Sequence, residues 1–284
     1  MRATDIMIVD FKLTTDYSRL EPGAHRLPCP ICDKGTHDKA MKVTVEPDGF
    51  VWYCHRCQST GASRTRQDRI RAAIAPKPAP GQHLTLAHHW RSVWLDLKPI
   101  RGTLAEEYLR SRGCAIPPSD GDLRYGELRH PSGYLGPAMI ALVSDALTGE
   151  PLTLHRTWIR ADGHKASVEP PRLLVGKHRK RNGVIRLWPD DAVTTGLAIA
   201  EGIETALAVA TAFTPVWSCI DAGNLAAFPV LTGIESMLIV ADNDAVGMRA
   251  AHKCAQRWAC AGREVRLAVP PRGMDAADLA RGAT

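Results

Sequence analysis

The sequence contains no run of about 18 consecutive apolar residues, so it offers no candidate transmembrane helix. Its first residues, Met1 to Lys12, mix charged and apolar side chains. They lack an apolar segment followed by a small-residue cleavage site, so no secretory signal is visible and the expected location is the cytoplasm, with no membrane partner. A Walker A sequence is missing too. Gly176-Lys177 is followed by histidine and lacks the upstream glycine spacing, so no built-in helicase module is expected. Internal repeats are also absent.

What the chain does have is length and a separation of charge. Its 284 residues allow a well-buried core and roughly two domains. The formal net charge of +6 fits a polyanionic partner, although that total decides little. Distribution says more. Arg64 to Arg71 and Lys177 to Arg186 are dense in cations, whereas the carboxylates stand out in the C-terminal third.

Eight cysteines would suggest disulfides in a small secreted protein, which this chain does not resemble. Four are grouped as two Cys-x-x-Cys knuckles, Cys29/Cys32 and Cys54/Cys57. Between them lie the strand-like Met41-Lys-Val-Thr-Val and Gly49-Phe-Val-Trp-Tyr, joined by a Glu46-Pro-Asp-Gly turn. This is the pattern of a zinc ribbon, in which each tight knuckle supplies two thiolates to a tetrahedral Zn²⁺. Four thiolates leave no open coordination position, so the zinc is expected to be structural. Lys42, Arg56, Phe50 and Trp52 are candidates for touching phosphates and stacking on bases, the two aromatics being equally suited to form the ribbon's own core.

Composition then divides the chain into an N-terminal arm (1–20), the ribbon (21–62), an Arg- and Pro-rich linker (63–82), a basic α+β subdomain (83–194) and a C-terminal α/β unit (195–284). The proline-rich linker should be semi-rigid and extended, tethering the ribbon without fusing it. In the basic subdomain, helical patterns over Leu84–Asp96 and Thr103–Arg112 precede strand-like stretches that include Pro151–Ile159 and Arg186-Leu-Trp. From Thr195 strands and helices alternate regularly, which implies a parallel sheet with helices on both faces. The expected fold class is therefore α/β and multidomain.

The C-terminal unit carries the chemistry. Strand-like Leu238-Ile-Val-Ala runs directly into Asp242-Asn-Asp244, and Gly196-Leu-Ala-Ile-Ala runs into Glu201. Ligands of open α/β sheets bind at the carboxyl ends of the strands, so Glu201, Asp242 and Asp244 should share one rim. Three carboxylates suit Mg²⁺ or Mn²⁺, which fill their remaining positions with water and substrate phosphates. Asp275 is a possible further ligand, and Asp278 follows it.

Glu201-Gly-Ile-Glu-Thr-Ala-Leu, the Asp242-Asn-Asp-Ala-Val-Gly tip and Gly273-Met-Asp-Ala-Ala-Asp-Leu, in that order, resemble the Toprim domain shared by primases, topoisomerases and some nucleases. With the ribbon and the basic subdomain upstream, the chain from about residue 20 onward resembles the zinc-ribbon Toprim primases of phages, plasmids and integrated elements. Four cysteines stand where bacterial housekeeping primases include a histidine, which favours the mobile-element type. Glu204 occupies a position where many relatives have Asp.

The resemblance implies a DNA primase that makes short RNA primers on single-stranded DNA from NTPs, with a separate replicative helicase as a candidate partner. Asp242 and Asp244 would be metal ligands, and Glu201 a ligand or the proton acceptor for the 3′-hydroxyl. Arg156, Lys177, Arg179, Lys180 and Arg181 are candidates for holding the triphosphate and template backbone. The ribbon would hold template bases. A metal-dependent Toprim nuclease and a non-catalytic nucleic-acid-binding replication protein are the competing expectations; a topoisomerase would need further domains.

Overall fold

The computed structural model describes residues 7–10, 17, 20–29, 34–46, 49–56, 60–64 and 84–271. In chain order, β1 (Met7–Asp10) precedes a small antiparallel sheet of β2 (Gly23–Leu27), β3 (Met41–Glu46), β4 (Gly49–Cys54) and β5 (Thr60–Arg64). Its core is made by the alternate residues Met41, Val43 and Val45 facing Phe50 and Trp52. Of the two roles expected for Phe50 and Trp52, the structure shows the ribbon's own core and not a stacking surface. Period-two alternation points both inward, and on so small a sheet there is little else to build a core. Exposed Tyr53 and Lys42 occupy the opposite face.

The middle of the chain contains α1 (His88–Asp96), β6 (Lys98–Pro99), α2 (Leu104–Arg110), β7 (Leu123–Arg129), β8 (Leu135–Asp145), β9 (Pro151–Trp158), β10 (Arg172–Leu174) and β11 (Gly183–Val184). These strands form an antiparallel sheet of order β10-β9-β8-β7-β6, with β11 paired to β8. Helix α2 begins where predicted. Thr103 accepts a hydrogen bond from the Ala105 amide and Glu106 accepts one from Gly102, while Gly113, at φ 67°, lets the chain turn away. Arg186-Leu-Trp is not a strand. Its arginine instead turns inward to Ser144 and the Asp145 carbonyl and pairs with Asp190.

The C-terminal unit runs β12 (Gly196–Ala200), α3 (Ile203–Val209), β13 (Val216–Ser218), α4 (Ala222–Ala227), β14 (Ser236–Val240), α5 (Ala245–Cys260) and β15 (Glu264–Val269). Strands β13, β12, β14 and β15 are parallel neighbours, the first three buried on both faces as crossover helices require, while β15 leaves Glu264 and Arg266 exposed. The N-terminal segment expected as a free arm contributes β1, which closes this sheet as an antiparallel edge beside β15. Four residues with Met7 and Ile8 exposed carry no alternation that would have revealed it. Strand β5 runs beside α5, so the small sheet touches the C-terminal unit directly; linker residues 65–82 lie outside the described residues. Among the described residues no helix is long and apolar enough to cross a membrane.

The two large sheets share a core where they meet, and each keeps a further buried cluster on its other face. Tyr108 and Leu109 of α2, Met139 and Val143 of β8, Leu207 of α3 and Val240 of β14 belong to one buried cluster. Backbone bonds cross the same junction: Ile185 and Ser218 exchange N–H···O bonds, and the Ala115 amide donates to Leu207. Trp217 donates to the Trp188 carbonyl while the Arg186 guanidinium lies 4.7 Å from its ring. Because Leu207 fills the space between sheets, Leu207→Ala should cost about 2–5 kcal/mol. Denaturant unfolding followed by tryptophan fluorescence and by far-UV circular dichroism should show one shared transition at lower midpoint; two separated transitions would contradict a common core.

Candidate functional site

Register brings the carboxylates together. Ala200 pairs with Val240 on one side and with Ser218 on the other, so the residues that follow these three strands emerge at one rim. Glu201 follows β12 at once, Asp242 lies two residues past β14, and Asp221 three past β13. Burial and the neighbouring charges of Asp242, Asp221 and Asp244 raise the Glu201 pKa, with the Ala222 amide partly offsetting them by a hydrogen bond. Three carboxylates therefore press on a fourth.

Asp244 caps α5, and Oδ1 accepts from both the Val246 and the Gly247 amides at 2.7 Å. Those bonds lower its pKa and leave Oδ2 outside the cap. Asn243 donates to the Pro270 carbonyl, tying the tip to the end of β15. Gly247 is required by close approach, since a Cβ there would meet the Asp242 carbonyl oxygen at 2.6 Å.

Facing this rim is a wall of cations. Glu201, Gly202, Glu204 and Asp242 share a cleft of about 300 Å³ with Arg112, His155, Lys165 and Arg172 of the middle sheet and its loops. Glu204 is buried at its centre. Tyr108 donates to Oε1 at 2.8 Å, Lys165 Nζ stands 3.6 Å from Oε1, and Arg172 approaches Oε2 at 3.9 Å. Burial alone would raise the Glu204 pKa, but the two cations and the phenol outweigh it and hold it at about 2. His155 goes the other way: burial outweighs the attraction of Glu204 and depresses its pKa to about 4, so the ring is neutral near pH 7.

The cationic residues singled out from sequence are only partly in this place. Lys180 reaches the rim, where it bonds Asp221 Oδ2 at 2.9 Å. Arg179 is spent on Asp145, at 2.7 Å, while Lys177 and Arg181 are exposed on the same loop. Arg156 is a correction. It is buried on the far face of β9, donates to the Leu174 carbonyl and stacks near Trp90 and Trp158. Strand parity explains the error: Arg156 shares a face with Leu154 and Trp158, and His155 has the cleft. The same parity on β10 sends Arg172 to the cleft and Leu173 away. Alternation could have found His155; nothing local marks Lys165 or Asp221.

In the small sheet, Met41 pairs with both Leu27 and Cys54, so the segment holding Cys29 and the end of β4 meet at one end of the sheet. Both thiols are buried there. Cys32 and Cys57 lie outside the described residues, as do Asp275 and Asp278. Among the described residues no three His, Cys, Asp or Glu side chains gather closely enough to form a metal-binding group. The donors on the rim nevertheless suit a hard divalent cation in kind, and the crowding that raises the Glu201 pKa is what such a cation relieves.

Residues 85–187 match a family described as a domain of unknown function (DUF7146), and residues 196–283 match the Toprim domain. A comparison with curated proteins finds no match. Among solved structures, a DNA primase domain from Pseudomonas aeruginosa is 16% identical with TM-score 0.37, over 65% of this chain and 57% of that one. The zinc-binding and RNA polymerase domains of the Aquifex aeolicus primase are 12% identical with TM-score 0.46, over 96% and 77% of the two chains. The RNA polymerase domain of the Mycobacterium tuberculosis primase in complex with double-stranded DNA is 18% identical with TM-score 0.35, over 61% and 55%. The chain thus spans little more than half of the Pseudomonas and Mycobacterium domains it matches.

The two shifted groups of the cleft predict how stability depends on acid. The folded His155 titrates at about 4 against an ordinary 6.5, so between these values only the unfolded chain takes up the proton, and stability falls as pH drops. The Glu204 contribution is complete above pH 4.5 and is lost as pH falls towards about 2. His155→Gln should remove this group's share of the slope between pH 6.5 and 4, worth at most about 3 kcal/mol, and leave the Glu204 share of the loss below pH 4.5. Urea midpoints across this range test it; an unchanged upper slope counts against a neutral buried His155.

Proposed function

We propose that the chain is a Toprim primase that joins ribonucleotides on single-stranded DNA by metal-dependent nucleotidyl transfer. The observation that carries the reading is the single cleft in which the carboxylate rim of the C-terminal sheet faces Arg112, Lys165 and Arg172 of the middle sheet and its loops. A nucleoside triphosphate needs both walls: cations for its β- and γ-phosphates, and oxygen ligands where its α-phosphate meets an attacking hydroxyl.

Glu201, Asp242 and Asp244 would hold Mg²⁺ or Mn²⁺, with Asp275 as a further ligand; such a cation, when bound, acidifies the attacking hydroxyl and neutralises charge on the departing pyrophosphate. The 3′-oxygen bonds to the α-phosphorus, the bond from that phosphorus to the bridging oxygen breaks, and the hydroxyl proton passes to Glu201. Arg112, Lys165 and Arg172 orient the triphosphate. Lys180, held at the rim by Asp221, and the exposed Lys177 and Arg181 follow the template backbone. Arg179 braces that loop through Asp145.

The small sheet is read as a structural zinc ribbon bound by Cys29, Cys32, Cys54 and Cys57, which presents template bases to the cleft. Four cysteine ligands suit the phage and plasmid type of primase. On this reading the protein works in the cytoplasm, with a separate helicase as the candidate partner that opens the template.

The deciding measurement is primer synthesis from NTPs, single-stranded DNA and Mg²⁺ or Mn²⁺ by wild type, Asp242→Ala and Cys54→Ala, with zinc content measured in parallel. Wild type should yield oligoribonucleotides. Asp242→Ala should lose at least about a hundredfold in rate with zinc retained. Cys54→Ala should lose zinc and template-dependent initiation. No product on a wide template panel sinks the primase reading; cleavage of DNA without NTPs indicates a nuclease; unchanged activity in Asp242→Ala indicates a non-catalytic carboxylate rim.

A further inference from the structure

Glu204 is an acidic residue at the phosphate end of the cleft, where a carboxylate should repel the substrate. Its surroundings explain its presence. Burial disfavours protonation of Lys165, Glu204 favours it, and Arg172 and Arg112 stand close enough for their charges to disfavour it further. Left alone, three crowded cations would swing apart towards solvent. The Glu204 carboxylate sits among them, one oxygen near Lys165 and the other near Arg172. Arg112 is gathered to the same centre through its contact, 4.8 Å, with the ring of Tyr108, whose hydroxyl donates to Glu204.

At 3.6 and 3.9 Å the two ion pairs are longer than direct hydrogen bonds, so the carboxylate holds both cations without consuming their N–H donors. Each lines the cleft and remains partly exposed. The elements involved are also distinct: Glu204 lies on α3, Tyr108 on α2, Arg172 on β10 and Lys165 on the loop before it. One side chain thus fixes the relative positions of groups from both large sheets.

We propose that Glu204 is a positioning residue for the triphosphate: its buried carboxylate holds Lys165 and Arg172 as a preformed phosphate clamp, and it is not a metal ligand. The inference rests on the primase reading for its substrate, but the clamp is testable without primer synthesis. Charge alone predicts the opposite sign, because removing a negative group from the cleft should strengthen anion binding. Positioning predicts weaker binding, because clamping energy is then spent on ordering two long side chains.

The probes are ATP and inorganic tripolyphosphate, titrated calorimetrically into the full-length protein, together with KM and kcat in primer synthesis and the Mn²⁺ concentration giving half-maximal rate. Glu204→Gln should weaken both probes and raise KM by about tenfold, change kcat less, and leave the Mn²⁺ requirement unchanged. Glu204→Asp, which keeps the charge but retracts it, should recover part of the loss. Adding Arg172→Gln to Glu204→Gln should weaken tripolyphosphate little beyond Arg172→Gln alone. Unchanged or tighter tripolyphosphate binding in Glu204→Gln overturns the proposal, as does a Mn²⁺ requirement about tenfold above that of wild type. Should Glu204→Gln fail to fold, Glu204→Asp decides alone: wild-type affinity for both probes overturns the clamp. A wild type that binds tripolyphosphate but makes no primer defeats the primase reading and leaves the clamp to the binding measurements.

Discussion

Everything at the cleft depends on one short helix being gripped from both sides. All seven residues of α3, Ile203 to Val209, are buried, Glu204 included. One face covers β12 and β14; the other meets α2 and the middle antiparallel sheet in the same cluster. Its small residues, Ala206 and Ala208, let the two sheets approach, and Leu207 fills the gap while its carbonyl accepts from Ala115. A helix with no solvent face cannot rotate without breaking a core, so Glu201 just before it and Glu204 in its first turn keep fixed positions relative to the middle sheet.

That rigidity is what allows opposite charges to be assembled and yet kept apart. Burial and the neighbouring carboxylates raise the Glu201 pKa on one wall; on the other, burial and the neighbouring arginines lower that of Lys165 against the pull of Glu204. Each wall is strained by its own charge, and neither can relax by folding onto the other, because strands and α3 hold them across the cleft. On the proposed function, a triphosphate would answer the cations and a divalent ion the carboxylates, so that pair of ligands would relieve both walls at once. Burying Glu204 among the cations costs desolvation, which its three partners offset.

Much of this was legible in the sequence where physics is local. The alternation of apolar runs and helical segments after Thr195 pointed to the parallel sheet, because buried strands and amphipathic helices write themselves into consecutive residues. Carboxylates directly following apolar strands gave Glu201 and Asp242. Groups that join the site only through long-range pairing left no such trace. Lys165 and Arg172 sit in a loop and on a three-residue strand with no pattern of their own, and Asp221 reads as an ordinary helix cap. Charge density favoured Lys177 to Arg181 and Arg156 instead. Arg156 was the instructive failure, since charge suggested exposure while the alternation of β9 buried it beneath Trp90 and Trp158. β1 was missed because a short edge strand needs only a neighbour, not a motif.

The least favourable backbone at the site shows how firmly it is built. Ile220 lines the cleft at φ 75°, a left-handed conformation that a β-branched residue rarely adopts and that costs about 1–3 kcal/mol. The Asp221 amide donates back to the Cys219 carbonyl at 2.8 Å, closing a tight three-residue turn about Ile220. On one side the turn is anchored by the Ile185–Ser218 bridge and by the Cys219 amide bonded to Ala200; on the other, Asp221 caps α4 through Asn224. Asn224 in turn donates to the Lys180 and Gly183 carbonyls, fixing the basic loop to the same point. Relaxing Ile220 would carry Asp221 away from both Glu201 and Lys180. The strain persists because the carboxylate rim, the basic loop and the junction between the sheets all meet at that turn.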